Sequence, residues 1–125
     1  IPLILGKLLP ESISVKILAG LKEEGRFLTD YGLATESLKS PFYNSDGYWR
    51  GPVWAPVMML MIDALYRTGE TEFSKELSDR YLNLVHTGGL AENFDAKTGK
   101  GLRDKGFAWT SAVFLILNNS FERTN

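Results

Sequence analysis

The sequence has no cysteine, which excludes disulfides and thiolate metal sites and fits a reducing compartment such as the cytoplasm. Histidine is almost as scarce. His86 stands alone near a helix end, where capping a carbonyl suits it better than binding a metal. Fourteen basic residues face fifteen acidic ones, for a net charge of −1, and no Lys/Arg cluster forms. Nucleic acid and anionic membrane are therefore not expected partners. No apolar run reaches the length of a membrane span. The start, IPLILGKLLPES, looks superficially like a targeting segment. Gly6 and Lys7 break it, no basic stretch precedes it, and no small-residue cleavage site follows. It also lacks an initiator Met, so a piece of a longer protein is expected.

What is present is a core rich in large rings: hydrophobic residues make up 44% and aromatic residues 12%. Four helices are predicted. The first opens at Pro10, carries Ile13, Ile17, Leu18 and Leu21 on one face, and meets a stop signal at Gly25. The second runs from Pro52 to Thr68 with a stripe of Val53, Val57, Leu60, Met61, Ala64 and Leu65. In this helix Met58, Met59 and Met61 read as core filler. The third runs from Thr71, as N-cap, to His86, with Phe73, Leu77, Tyr81 and Leu84 at helical spacing. The fourth runs from Thr110 to Asn118 and is apolar nearly all round, which predicts burial. No strand pattern is strong, although LILG and GLAENF are each able to form a short extended pair.

The connections alternate long, short, long. Residues 25–51 and 88–109 are long; Thr68–Glu70 is short. Helical hairpins with tight turns at one end and elaborated loops at the other produce this alternation, so the two long loops should share a functional face. A structureless link of about 20 residues, such as GGLAENFDAKTGKGLRDKGF, is uncommon in a compact domain and usually functional. It holds a lone acid, Glu92, among small residues with Phe94, Phe107 and Trp109 near in sequence. That is the equipment of a sugar-processing site. With so much of the chain in loops, the core is thin for an isolated bundle. The expected fold is all-α, a sector of a larger helical assembly, with no internal boundary in residues 1–125.

Two motifs carry a resemblance. Tyr48-Trp49-Arg50-Gly51-Pro52-Val53-Trp54 leads into the second helix. Glu92-Asn93-Phe94, Thr98-Gly99 and Gly106-Phe107-Ala108-Trp109-Thr110 lead into the fourth. In content and order they resemble the C-terminal part of glycoside hydrolase family 63 and the related mannosylglycerate-hydrolase-like and trehalase-like enzymes. The resemblance extends from about Tyr31 onward. It implies a sector of an (α/α)6 toroid, about four helices with two long loops on one face, and an inverting hydrolase of α-glucosides or similar small α-glycosides. It implies a carbohydrate substrate, the remainder of the barrel as partner, and no cofactor or metal.

By position, Glu92 matches the family's general base. Inversion also needs an acid, with the two carboxyls roughly 6.5–9.5 Å apart. The family's acid is an aspartate in a Gly-Trp-Asp-like segment, which this chain lacks. Phe94 stands where Tyr is commoner. Trp49 is a candidate for stacking on a pyranose or for the core, with Trp54 a weaker one. Arg50 is placed to bind sugar hydroxyls, fix a carboxylate, or cap carbonyls. Glu36, Asp46 and Tyr48 are candidates for substrate hydroxyls, and Trp109 for contact or for support beneath the loop. Gly99-Lys100-Gly101 with Gly106 has the wrong spacing for a dinucleotide fingerprint. Asn118-Asn119-Ser120 matches a glycosylation acceptor in form only. A sugar epimerase of the same barrel class is an alternative, but its histidine chemistry finds only His86. A non-catalytic carbohydrate-binding or interaction segment is the other.

Overall fold

The computed structural model describes residues 2–122, with side chains through residue 120. A 3-10 helix, Pro2–Leu8, opens the chain and kinks at Gly6, whose φ is 54°. Helix α1 (Glu11–Lys22) follows directly after Pro10, and α2 (Ala55–Arg67), α3 (Thr71–Gly88) and α4 (Ala108–Glu122) complete the helical set. Two minimal hairpins interrupt the long loops: β1 (Leu28–Thr29) with β2 (Gly32–Leu33), and β3 (Asn93–Phe94) with β4 (Gly101–Leu102). The LILG segment is helical rather than extended, because it folds into the 3-10 turn that buries Leu3. GLAENF does supply a strand, β3.

The core is built on α2 and α3, which form a helical hairpin turned at Gly69 (φ 89°). Phe73, Leu77, Tyr81 and Leu84 are buried on α3, as the spacing predicts. Ser74 and Ser78 lie buried between them, and Ser74 Oγ donates to the Ile62 carbonyl at 2.8 Å, so the small serine also ties α3 to α2. Fully burying a side chain such as Leu65 or Leu77 contributes roughly 1.5–3 kcal/mol.

Helix α2 departs from the sequence expectation at its start. Val53 pairs with Phe94 in an antiparallel bridge and Trp54 is extended, so the helix begins at Ala55, with Pro56 rather than Pro52 in its first turn. The predicted stripe holds at Met61, Ala64 and Leu65, with Val57 packed on the core, but it misses part of the buried face. Met58 and Ile62 are buried, while Leu60 is exposed. Thr71 is the first helical residue of α3, and Glu70 stands at the N-cap without a side-chain cap. Helix α3 also runs on past His86, ending at Gly89 (φ 80°).

Helix α4 is longer than predicted and only one face is covered. Val113 and Leu117 pack into the core, whereas Trp109, Leu115 and Ile116 are exposed. A continuous apolar run does not say which of its faces finds a neighbour. Helix α1 likewise has no fully buried residue: Ile17, Leu18 and Leu21 pack on the core while Ile13 is exposed.

Candidate active site

The two long loops share one face because their backbones are joined. Val53 N donates to the Phe94 carbonyl at 2.7 Å and Phe94 N donates back to Val53 at 3.0 Å. Elsewhere along the seam the Lys97 ammonium lies 4.7 Å from the Tyr43 ring centroid. Gly99, at φ 70°, abuts the Tyr31 ring so closely that a Cβ would fall 2.5 Å from it. The second loop is not structureless. Its β3–β4 hairpin turns on Asp95, whose carboxylate accepts from Lys97 N and from Thr98 Oγ1, each at 2.9 Å. The loop's base closes where Phe107 N donates to the Leu90 carbonyl at 2.9 Å.

The first loop delivers Tyr48, Trp49 and Arg50 on a tight turn. Asn44 N donates to the Arg50 carbonyl at 2.8 Å, and Asp46 N donates to Asn44 Oδ1 at 3.0 Å. Thr35 pins the exit from this turn. Its Oγ1 donates to the Pro52 carbonyl at 2.9 Å and accepts from Gly51 N at 3.1 Å. Gly51 has no alternative, since a Cβ there would sit 2.2 Å from the Asn44 carbonyl oxygen.

An aromatic cluster grows from these turns. Trp54 is wholly buried, and its Nε1 donates to the Tyr48 carbonyl at 2.8 Å, giving the buried indole N–H its partner. Trp49 stacks on Trp54 with centroids 4.1 Å apart and planes 15° from parallel. Trp109 lies 6.3 Å from Trp54 and 5.5 Å from Phe107. Trp49 and Trp109 are each about half exposed, at 46% and 52%, so Trp109 is not buried beneath the loop.

Glu92 sits half-buried beside this cluster. Its backbone N donates to the Asp104 carbonyl at 2.8 Å, and its Oε1 accepts from the Tyr48 hydroxyl at 2.9 Å. The bond to this carboxylate holds the Tyr48 phenol above its ordinary pKa. Asp46 pairs with Arg103 at 2.7 Å, and the Arg103 guanidinium lies 5.1 Å from the Tyr48 ring centroid. Arg50 is exposed and Glu36 half-buried, and among the described residues neither makes a side-chain hydrogen bond. The site thus unites Glu92, Tyr48, Asp46, Trp49 and Trp109, with Arg103 an addition that sequence reasoning missed. Arg103 carries no motif; its signal is its backbone and its partner.

A large apolar groove lies elsewhere. It encloses about 650 Å³ between α1 and α2, lined by apolar groups such as Ile17, Leu21, Phe27 and Met61, and it touches the cluster only at Trp49 and Thr35. No carboxylate lines it, and Glu92 lies outside it. No group of three or more His, Cys, Asp or Glu able to hold a metal occurs among the described residues.

Helical hairpins with their elaborated loops gathered on one face define an all-α sector of an (α/α)6 toroid, and solved structures carry the same arrangement. A conserved protein of Thermus thermophilus superposes with a TM-score of 0.81 at 29% identity, over 94% of this chain and 30% of that one. The GH63 mannosylglycerate hydrolase of the same organism, in complex with glucose, superposes at 0.74 and 28% identity, over 92% and 29%. Residues 1–110 match the mannosylglycerate hydrolase MGH1-like glycoside hydrolase domain, and the chain belongs to that family. Mannosylglycerate hydrolase MGH2 of Selaginella moellendorffii is 34% identical over 93 residues, covering 73% of this chain. The chain spans 19% of that relative's length.

Proposed function

We propose that this chain is the C-terminal segment of one (α/α)6 catalytic domain that hydrolyses a small α-glycoside with inversion. Glu92 is the general base. Its carboxylate takes a proton from water as the water oxygen attacks the anomeric carbon, and the glycosidic C–O bond breaks. The leaving oxygen takes its proton from an aspartic acid outside this chain. Trp49 and Trp109 offer indole faces to the sugar's C–H faces, while Arg50 and Glu36 are free to meet its hydroxyls. The rest of the barrel covers the exposed apolar residues Leu60, Leu115 and Ile116. The 125 residues alone are inactive in this reading, because they hold half of the acid–base pair.

One observation supports this most. Glu92 is the acid of the loop face that is half-exposed, is held by a phenolic donor, and stands beside stacked indoles. Two of the relatives named above carry mannosylglycerate hydrolase in their names, which makes mannosylglycerate the first substrate to test. The full-length protein is mixed with mannosylglycerate and the first product is followed by proton NMR. Release of β-mannose ahead of mutarotation is expected; release of α-mannose would contradict inversion.

A further inference from the structure

Among the described residues, two that are not glycine have left-handed backbones, Tyr48 (φ 60°) and Arg103 (φ 63°). They lie on different loops, yet they touch each other beside Glu92. Each such residue costs of order 1–3 kcal/mol and persists only where its surroundings over-determine it. Here the surroundings do. The Tyr48 carbonyl is held by Trp54 Nε1 at 2.8 Å, and the Tyr48 ring stands edge-on to Trp54 at 4.8 Å. Arg103 Nη2 donates to both the carboxylate and the carbonyl of Asp46, at 2.7 and 3.2 Å.

We propose that Tyr48 is a positioning residue that orients the Glu92 carboxylate, and that the Arg103–Asp46 ion pair is the clasp that holds Tyr48 in place. The proposal rests on Glu92 acting as the base. An ionised carboxylate only accepts, so the phenol proton is committed to Glu92. With Oε1 so engaged and the Glu92 backbone tied to Asp104, the other carboxylate oxygen keeps a fixed direction in which to receive a proton from water. Tyr48 is 41% exposed, so its edge contact with Trp54 covers only part of the ring while the hydroxyl is directed to Glu92. Arg103 both caps the ring face and draws the two loops together.

A residue acting through the base affects turnover; one that binds substrate affects KM. In the full-length protein with mannosylglycerate, Tyr48→Phe is expected to lower kcat at least tenfold and leave KM within twofold. Arg103→Ala should lower kcat about threefold, and the double variant should be no slower than Tyr48→Phe alone, because both act through one group. A raised KM with kcat preserved, or no change, overturns the proposal. An active Glu92→Gln protein overturns the base assignment and this proposal together. An inactive Glu92→Gln protein beside a Tyr48→Phe protein with intact kcat overturns this proposal alone. One readout needs no turnover. The alkaline absorbance titration of wild type minus Tyr48→Phe should show a phenol ionising above the usual tyrosine range, and Glu92→Gln should bring it down; no movement overturns the coupling.

Discussion

Trp49 lies flat on Trp54, ring centroids 4.1 Å apart and planes 15° from parallel, so one of its indole faces is packed and the other is presented. The buried partner fixes the ring's orientation and leaves Trp49 half-exposed. In the full-length protein Trp49→Ala should raise KM for a sugar substrate about five- to tenfold, equivalent to about 1–1.4 kcal/mol, with a smaller effect on kcat. Trp49→Phe should recover part of the loss. An unchanged KM would remove Trp49 from the substrate site.

Trp54 does a different job. Its N–H holds the carbonyl of a residue with a left-handed backbone, and its ring fills the space between the loops. Trp54→Phe keeps an aromatic ring but leaves the Tyr48 carbonyl without its donor. Thermal or denaturant unfolding should register a loss of about 1–3 kcal/mol, and kcat should fall with it.

Gly51→Ala is expected to be more damaging than its size suggests. The backbone is at φ 156° and the added Cβ would meet the Asn44 carbonyl oxygen at 2.2 Å, so the turn carrying Tyr48, Trp49 and Arg50 must shift. Displacement of this order at the chemistry costs on the order of 100-fold in rate. Gly69→Ala is the control: it has positive φ but open space around the Cβ. It should cost about 1 kcal/mol of stability and no turnover.

Tyr81 gives a pH dependence with a defined sign. Burial pushes its phenol pKa well above the ordinary value of 10.0, with the Thr110 hydroxyl offsetting a little, and its own hydroxyl has no well-formed hydrogen bond. The folded state thus binds the phenol proton more tightly than the unfolded state does. The resulting stability is present below pH about 10 and declines as the pH rises above it, when the unfolded phenol ionises and the folded one does not. Tyr81→Phe should flatten the fall in Tm above pH about 10. Near neutral pH it should change stability by no more than about 1 kcal/mol, because no bond is lost.

The sequence made the helical hairpins legible because α3 carries an uninterrupted apolar spacing and Gly69 punctuates its junction with α2. The shared loop face was legible from connection lengths alone. The start of α2 was not. Pro52 has the look of a first helical residue, but the Val53–Phe94 backbone pairing extends the chain, and that is a contact between loops far apart in sequence. The hairpins β1–β2 and β3–β4 have two residues per strand, too few to leave a periodic pattern. Glu92, Tyr48 and Trp49 were legible through motifs, whereas the Tyr48–Glu92 bond and the Arg103 clasp depend on how the loops fold against each other.

The central claim is that Glu92 deprotonates the attacking water. Full-length Glu92→Gln protein, assayed with mannosylglycerate under single-turnover conditions, tests it directly. The substitution keeps the side chain's shape and its ability to accept from Tyr48 but removes the base. We expect catalysis to fall by about 100-fold or more, with sugar affinity by calorimetry retained within a few-fold. Hydrolysis at close to the wild-type rate would contradict the account.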